Sequence, residues 1–247
     1  MAKLTENLRI VFRTIYGRTK TGHITFCRGR SIRIKGLDGR IYRTMMDGKG
    51  EKIEYRTIKP EPFSVCVFDT QLDKGWRSRR QSAQFWEQIC FQADWDFTYE
   101  RIHSLEDMRY FLEERKIPAR IIIFNGHGTS TDGFRLTNNQ ILERNTAIKI
   151  NPDNKHKIII FSSCLIGANR RLCKSFLELF CAEAIVAYRS DVQDAFALLV
   201  ELALLELLDF GYSIEMAVET VKKALDPWKT VNLKGAKAFP LVHYLSK

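Results

Sequence analysis

The sequence predicts an α/β fold with a mostly parallel sheet covered on both faces, preceded by a small antiparallel β appendage. Two patterns support this: polar and apolar residues alternate in the first sixty residues, and apolar strands alternate with helical segments further on. The motif Lys59-Pro60-Glu61-Pro62 separates them, because two prolines within three residues cannot continue a strand ladder. We therefore expect a basic β appendage over residues 1–60 and an α/β domain over residues 61–247.

The appendage is expected to consist of half-exposed strands joined by tight turns. Alternation predicts strands over 31–35, 39–43 and 52–56, with glycine-containing turns over 36–39 and 47–50. Much of the net charge of +10 lies in this region, and a basic surface favours an acidic partner. Nucleic-acid binding is one interpretation of this charge, and a solvated strand face is the more common one.

The α/β domain is predicted as an ordered series of strands and helices. A Ser-x-x-Asp capping motif at Ser104 and Asp107 opens one of the helices. The segment 133–152 lies between two of the strands and is either a β excursion, an irregular lid or a processing loop. Strands are expected at 63–68, 97–102, 119–124, 157–161 and 184–188, and helices at 78–92, 104–116, 168–180, 192–209 and 213–225.

Several classes of protein are disfavoured by composition. Residues 1–15 have no continuous apolar core of the kind that secretion signals need, which predicts a cytoplasmic protein. The longest apolar stretch, 195–208, is too short for a membrane span and is interrupted by Glu201 and Glu206. The six cysteines form no CxxC pair and have no nearby histidine cluster, so neither a zinc site nor a disulfide framework is expected. No metal or other cofactor is predicted.

Two apolar strands run directly into reactive side chains. Ile-Ile-Ile-Phe-Asn-Gly precedes His127, and Ile-Ile-Ile-Phe-Ser-Ser precedes Cys164. Because sites in open α/β sheets form at the carboxyl ends of strands, the pattern predicts a Cys164 nucleophile with His127 as its base. Taken alone, each residue is more often a core cysteine or a turn histidine. Together, at corresponding strand ends, they favour a catalytic dyad.

The turns around the dyad suggest how it would work. The helix expected after Cys164 favours the thiolate form of its side chain. Gly126 and Gly128 would permit close approach of a substrate backbone. The backbone amides of Gly128 and Cys164 are the candidates for an oxyanion hole.

This order of motifs resembles the caspase-like cysteine peptidases, which include caspases, metacaspases, gingipains, separases and the bacterial CHAT-domain proteases. The shared pattern covers about residues 63–225, and the stretch 182–191 with its following helices resembles the CHAT branch in particular. The resemblance implies a caspase-like three-layer α/β/α sandwich and endopeptidase activity through His127 and Cys164. The caspase signature Gln-Ala-Cys-x-Gly is replaced by Ser-Ser-Cys164-Leu-Ile-Gly, so specificity for aspartate is not implied.

The resemblance also implies where the residue before the cut is recognised. Asp69 occupies the end of the first core strand, where relatives that cut after arginine or lysine carry an acid, and Asp191 occupies a second such position, with Asp194 as its neighbouring alternative. Carboxylates there would pair with a basic side chain, so we expect cleavage after Arg or Lys. Asp69 also suits a simple cap after a strand.

Bacterial members of the family act on partner proteins, which implies a protein substrate such as a gasdermin or another protein of an antiviral defence system. The alternative is a non-catalytic caspase-like scaffold or nucleic-acid-binding module with the appendage as its contact surface.

Overall fold

The computed structural model describes residues 9–13, 19–28, 31–36, 40–45, 59–60, 63–70, 82–232 and 239–246. The chain divides into two compact units. One contains residues 1–62 and 204–217, and the other contains residues 63–203 and 218–247. The strand expected over 52–56 and the turns over 37–39 and 47–50 lie outside the described residues.

An antiparallel sheet forms in the first unit, as the alternating sequence predicts. Inward positions such as Ile24, Ile34 and Tyr42 are buried, and the positions between them are exposed. The two residues Lys59 and Pro60 form a short edge strand, a position in which proline is tolerated. The strands follow the order of the chain: β1 (Arg9–Arg13), β2 (Thr19–Arg28), β3 (Ser31–Gly36), β4 (Ile41–Met45) and β5 (Lys59–Pro60).

The exposed face of this sheet is basic at neighbouring positions. His23 pairs with Lys35 across β2 and β3, and Arg33 pairs with Arg43 across β3 and β4. All four side chains are exposed. A face with charges of one sign favours an acidic partner, so nucleic-acid contact through this face stays a prediction.

A six-stranded, mostly parallel sheet dominates the second unit. Its strand order is β14-β13-β12-β8-β6-β7, and only β14 runs antiparallel to its neighbour. The elements after β5 are β6 (Ser64–Asp69), α1 (Ser82–Ala93), β7 (Asp96–Arg101), α2 (Leu105–Arg109), β8 (Ile121–Asn125), β9 (His127–Gly128), β10 (Phe134–Arg135), β11 (Ile141–Leu142), β12 (Ile158–Ser162), α3 (Arg170–Leu179), β13 (Ala184–Tyr188), α4 (Asp194–Asp209), α5 (Ile214–Asn232) and β14 (Leu241–Leu245).

Helices cover both faces of this sheet. On one face, Phe124 of β8 stacks on Phe161 of β12, which stacks in turn on Phe176 of α3 with ring centroids 5.0 Å apart. On the other face, the Tyr188 hydroxyl reaches the Ala197 carbonyl of α4. Because both faces of the sheet are covered, consecutive residues of its central strands are apolar. The predicted α/β class with a mostly parallel sheet and a separate antiparallel sheet is confirmed, and the caspase-like arrangement stays a prediction.

The helix predicted over 104–116 ends early. Its capping motif is confirmed, because the Asp107 amide donates to Ser104 Oγ at 3.1 Å and the Ser104 amide donates to Asp107 Oδ2 at 3.0 Å. After Arg109 the chain widens into a π-helical turn over Tyr110–Glu114. The buried Asn154 side chain donates to the carbonyls of Leu112 and Arg115, which holds this wide turn in place.

The segment over 133–150 contains two of the strands in a small antiparallel sheet of β9, β10 and β11. This favours the predicted β excursion over an irregular lid. The C-terminal strand β14 was not predicted. None of the helices among the described residues is long and apolar enough to cross a membrane.

Candidate active site

The register of β8 and β12 brings the two motif strands together at their carboxyl ends. The last paired residues are Asn125 and Ser162, and the Gly126 amide then donates to the Ser162 carbonyl at 3.2 Å. His127 and Cys164 each follow two residues after that last pair. The parallel register therefore delivers an imidazole and a thiol to the same edge of the sheet.

Gly128 lies directly against the turn that carries the cysteine. A Cβ atom at this position would lie 2.7 Å from the Cys164 carbonyl oxygen and 2.6 Å from Ile166 Cγ1. Gly126 is similarly enclosed, by the side chains of Thr70 and Phe134. Both glycines are needed for close packing of the protein on itself, whereas the sequence suggested room for a substrate backbone.

Asn169 ties the histidine-bearing hairpin to the cysteine-bearing turn. Its Oδ1 atom accepts from the Arg171 and Leu172 amides and so caps α3, while its Nδ2 atom donates to the Ser130 carbonyl at 2.8 Å. One side chain thereby fixes two loops. Sequence reasoning missed this residue, although an asparagine before a helical segment is a recognisable cap signal.

The turn after Cys164 is tight and left-handed. Leu165 adopts φ 64°, and the Ile166 amide donates back to the Cys164 carbonyl at 2.8 Å. Such a conformation is unfavourable for a leucine and is held by its surroundings, since the Leu165 amide also donates to the Ser190 carbonyl. The half-buried Cys164 side chain is thus projected from a constrained turn between β12 and α3.

The thiol faces the loop that follows β13. The Val192 amide donates to Cys164 Sγ at 3.3 Å, and Cys164 Sγ lies 3.7 Å from the Val192 carbonyl as a weak donor. The exposed carboxylates of Asp191 and Asp194 lie close enough to act on the sulfur electrostatically. This loop therefore supplies both a hydrogen-bond donor and negative charge at the nucleophile.

The prediction that the thiolate is favoured is wrong for the free protein. Burial raises the pKa of the Cys164 thiol, the Val192 amide lowers it, and Asp191 and Asp194 raise it further. A short 3-10 turn over Ile166–Ala168 also separates the sulfur from the α3 N-terminus, whose cap is Asn169. This environment therefore disfavours the thiolate of Cys164, so attack by the sulfur needs a base.

The two amides predicted for an oxyanion hole belong to Gly128 and Cys164. The Cys164 amide donates no hydrogen bond to another group within the described residues. The Thr129 amide donates to the Gly133 carbonyl, and bonded and non-bonded pairs alternate along an antiparallel ladder. Gly128, the next position, consequently points its amide away from β10. Both amides adjoin the thiol turn, and their role as an oxyanion hole stays a prediction.

Asp69 lies apart from the other two predicted specificity acids. Asp69 ends β6 beside Asn125, whereas Cys164 follows β12. Two strand spacings, about 10 Å in total, therefore separate their backbones. Asp69 is 5% exposed, and its carboxylate accepts from Asn125 Nδ2 at 2.9 Å and from the Tyr99 hydroxyl at 3.0 Å. Burial raises the pKa of Asp69, and these hydrogen bonds oppose that shift. The structure brings Asp191 and Asp194 to the thiol and places Asp69 on the far side of His127.

Metal binding finds no support in the described part of the chain, where His, Cys, Asp and Glu form no group of three or more that could hold an ion. No protein-family model matches this chain, and no curated protein matches it significantly.

A buried polar pair beneath the site was also missed. Glu201 lies in the middle of α4 and Tyr188 ends β13, and both are fully buried. In the sequence, Glu201 only interrupts an apolar stretch. Its spacing of four from Ala197 and Leu205, both buried, was the available signal that it faces the sheet.

Substitution of Gly128 by alanine tests the close packing of the two loops. We expect the new Cβ atom to displace the Cys164 turn and to lower turnover about 100-fold, because small misplacements of reacting groups have effects of this size. The measurement is kcat/KM alongside a circular dichroism spectrum. Ser130→Ala in the same hairpin is the control, since only the Ser130 carbonyl contacts Asn169. Unchanged turnover in Gly128→Ala would contradict the packing argument.

Proposed function

We propose that this protein is a cysteine endopeptidase that uses His127 and Cys164 as a catalytic dyad. The observation that carries the proposal is the β8–β12 register, in which Asn125 pairs with Ser162 two residues before each reactive residue. An inert cysteine and an unrelated turn histidine would not be expected at corresponding positions after paired strands. The enclosed glycine at 128 and the Asn169 bridge further support a preorganised site.

Because the pKa of the Cys164 thiol is raised, the thiol loses its proton during attack and not before it. His127 takes the proton from Cys164 as the sulfur attacks the scissile carbonyl carbon. The amides of Gly128 and Cys164 stabilise the oxyanion of the tetrahedral intermediate. His127 then gives its proton to the leaving amine as the carbon–nitrogen bond breaks, which leaves a thioester on Cys164. Water, deprotonated by His127, hydrolyses the thioester and restores the thiol.

We infer that the peptidase cleaves after arginine or lysine. Asp191 and Asp194 carry negative charge at the edge of the thiol, where the side chain before the cut would lie. Carboxylates in this position attract a guanidinium or ammonium group and repel an acidic side chain. Asp69 would contribute less, because its carboxylate already accepts two hydrogen bonds within the protein.

The natural substrate is proposed to be a partner protein. The resemblance to CHAT-domain proteases favours a protein of a bacterial defence system, such as a gasdermin, with a basic residue in an exposed loop. The proposal requires only that this loop can extend across the carboxyl edge of the sheet beside Cys164.

The deciding experiment is cleavage of a peptide library with Arg, Lys, Asp and Leu at the cut position, by the wild type and by Cys164→Ala. Cleavage after Arg or Lys that disappears in the variant supports the proposal. Cleavage after another residue keeps the peptidase and refutes the acidic pocket. Absence of cleavage together with an unreactive Cys164 would refute the peptidase.

Neutralising Asp191 and Asp194 should slow the cleavage of basic peptides and speed the alkylation of Cys164. The double variant Asp191→Asn, Asp194→Asn is expected to cleave basic peptides about 10–100-fold less efficiently, since a charge-assisted contact is lost. The same variant should be alkylated faster at pH 7, because both carboxylates raise the pKa of Cys164. Asp153→Asn, at an exposed surface ion pair with Lys116, is the matched control. A fall in both quantities would indicate structural damage and contradict the assignment.

A further inference from the structure

A buried carboxyl group contacts the strand that precedes the loop facing the candidate nucleophile. Glu201 is 0% exposed, and its Oε1 atom lies 3.2 Å from the Tyr188 hydroxyl. Its Oε2 atom has no hydrogen-bond partner among the described residues. A charged carboxylate in such a place is strongly unfavourable, so the geometry favours the protonated acid.

The contacts of the Tyr188 hydroxyl also favour a protonated Glu201. Its hydroxyl lies 3.2 Å from the Ala197 carbonyl oxygen and 3.2 Å from Glu201 Oε1. A hydroxyl has one hydrogen to donate, and the carbonyl can only accept. When Tyr188 donates to Ala197, the second contact is a hydrogen bond only if Glu201 donates. A protonated Glu201 satisfies both contacts, and an ionised Glu201 leaves Ala197 competing for the hydrogen.

Few charged groups act on Glu201. Burial raises the pKa of Glu201 to about 8, Ser162 and Tyr188 lower it, and Asp194 on the same helix raises it. None of these groups is a cation. Cys164 in turn acts on Tyr188, whose pKa burial raises well above its usual range.

The neighbours of Glu201 are the ends of the two strands that flank the thiol. Ser162 ends β12 two residues before Cys164, and Tyr188 ends β13. The loop after Tyr188 supplies the Ser190 carbonyl that accepts from Leu165 and the Val192 amide that donates to the sulfur. Anything that shifts either strand end therefore shifts the nucleophile.

We propose that Glu201 is a positioning residue that keeps its proton at neutral pH and holds, through Tyr188, the end of the strand whose following loop contacts Cys164. The inference rests on the proposed function, since it takes Cys164 as the nucleophile. When Glu201 ionises, a negative charge appears beside Tyr188, on which Cys164 also acts, and disfavours the thiolate. Alkaline pH would therefore increase the reactivity of Cys164 less than that of an isolated thiol.

Two measurements test this without using peptidase activity. Infrared spectra across pH 6–10 report the protonated carboxyl group of Glu201 by difference between the wild type and Glu201→Gln. Alkylation of Cys164 by iodoacetamide, followed by peptide mass spectrometry, reports the nucleophile separately from the exposed Cys181. Glu206→Gln, the same chemical change on the same helix, is the matched control.

We expect the infrared band in the wild type and in Glu206→Gln and its absence in Glu201→Gln. Alkylation rates of the three proteins should coincide below pH 7, and Glu201→Gln should react about tenfold faster above pH 8, the scale of a charge interaction in part-buried protein. A missing band at pH 6, or superimposable alkylation profiles, would overturn the inference. Both expected results in a protein that cleaves no peptide would refute the peptidase and leave the role of Glu201 standing.

Discussion

Substitution of Cys164 by alanine is expected to lower kcat/KM toward basic peptides by on the order of 10⁵-fold, because no other group can form the thioester. His127→Ala should cost about 10²–10⁴-fold, the usual contribution of a general base. The double variant should be no worse than Cys164→Ala, since the two residues act as a unit. The measurement is steady-state cleavage of the best library peptide.

The raised pKa of the thiol makes the His127 variant especially informative. A preformed thiolate would react with iodoacetamide at the same rate whether or not a base were present. A neutral thiol depends on the base, so His127→Ala should be alkylated more slowly than the wild type near pH 7 and regain part of the rate at higher pH as Cys164 ionises. Cys181→Ala and His156→Ala, both exposed and outside the site, are the matched controls. Persistent cleavage by Cys164→Ala would exclude the dyad.

Much of the fold follows from local pattern. The strand Ala184–Tyr188 was predicted to the residue, because an apolar run bounded by polar residues marks a strand buried on both faces. The strand Leu241–Leu245 was missed because it lies at the antiparallel edge of the sheet. Most of its residues are only partly buried and include His243, so it lacks that apolar run. The π-helical turn depended on Asn154, some forty residues away in sequence.

The candidate site also contains some features that local sequence pattern predicts and others that it does not. Two strand ends in register were predictable, because identical Ile-Ile-Ile-Phe runs precede both reactive residues. The raised pKa of Cys164 was not predictable, because it depends first on burial of the thiol and then on Val192 and Asp191, which lie on a loop after another strand. The role of Glu201 was hidden for a related reason. A single glutamate in an apolar helix is interpreted as a break in the apolar pattern until the sheet against which the helix packs is known.

Glu201 should make the protein less stable as pH rises through the neutral range. The pKa of Glu201 is raised from 4.5 to about 8 in the folded protein. Below about pH 4.5 the residue is protonated in both states and has no effect. Above that value the unfolded chain loses the proton that the native state retains, so stability falls by about 1.4 kcal/mol per pH unit. The loss should reach on the order of 4 kcal/mol near pH 8 and then level off.

Urea unfolding of the wild type and Glu201→Gln between pH 5 and 9 measures this slope directly. The glutamine side chain is neutral in both states, so its curve should lack the decline and cross that of the wild type. Glu201→Gln would be the less stable protein at pH 5, where a well-fitted acid is replaced, and the more stable one at pH 9. Glu206→Gln should follow the wild-type slope more closely, because Glu206 is only partly buried. Parallel curves for the wild type and Glu201→Gln would mean that the buried carboxyl group is already ionised. The stabilising contact would then have to be a cation or donor that reaches Oε2, and Tyr188 could no longer bridge Ala197 and Glu201 in the manner inferred above.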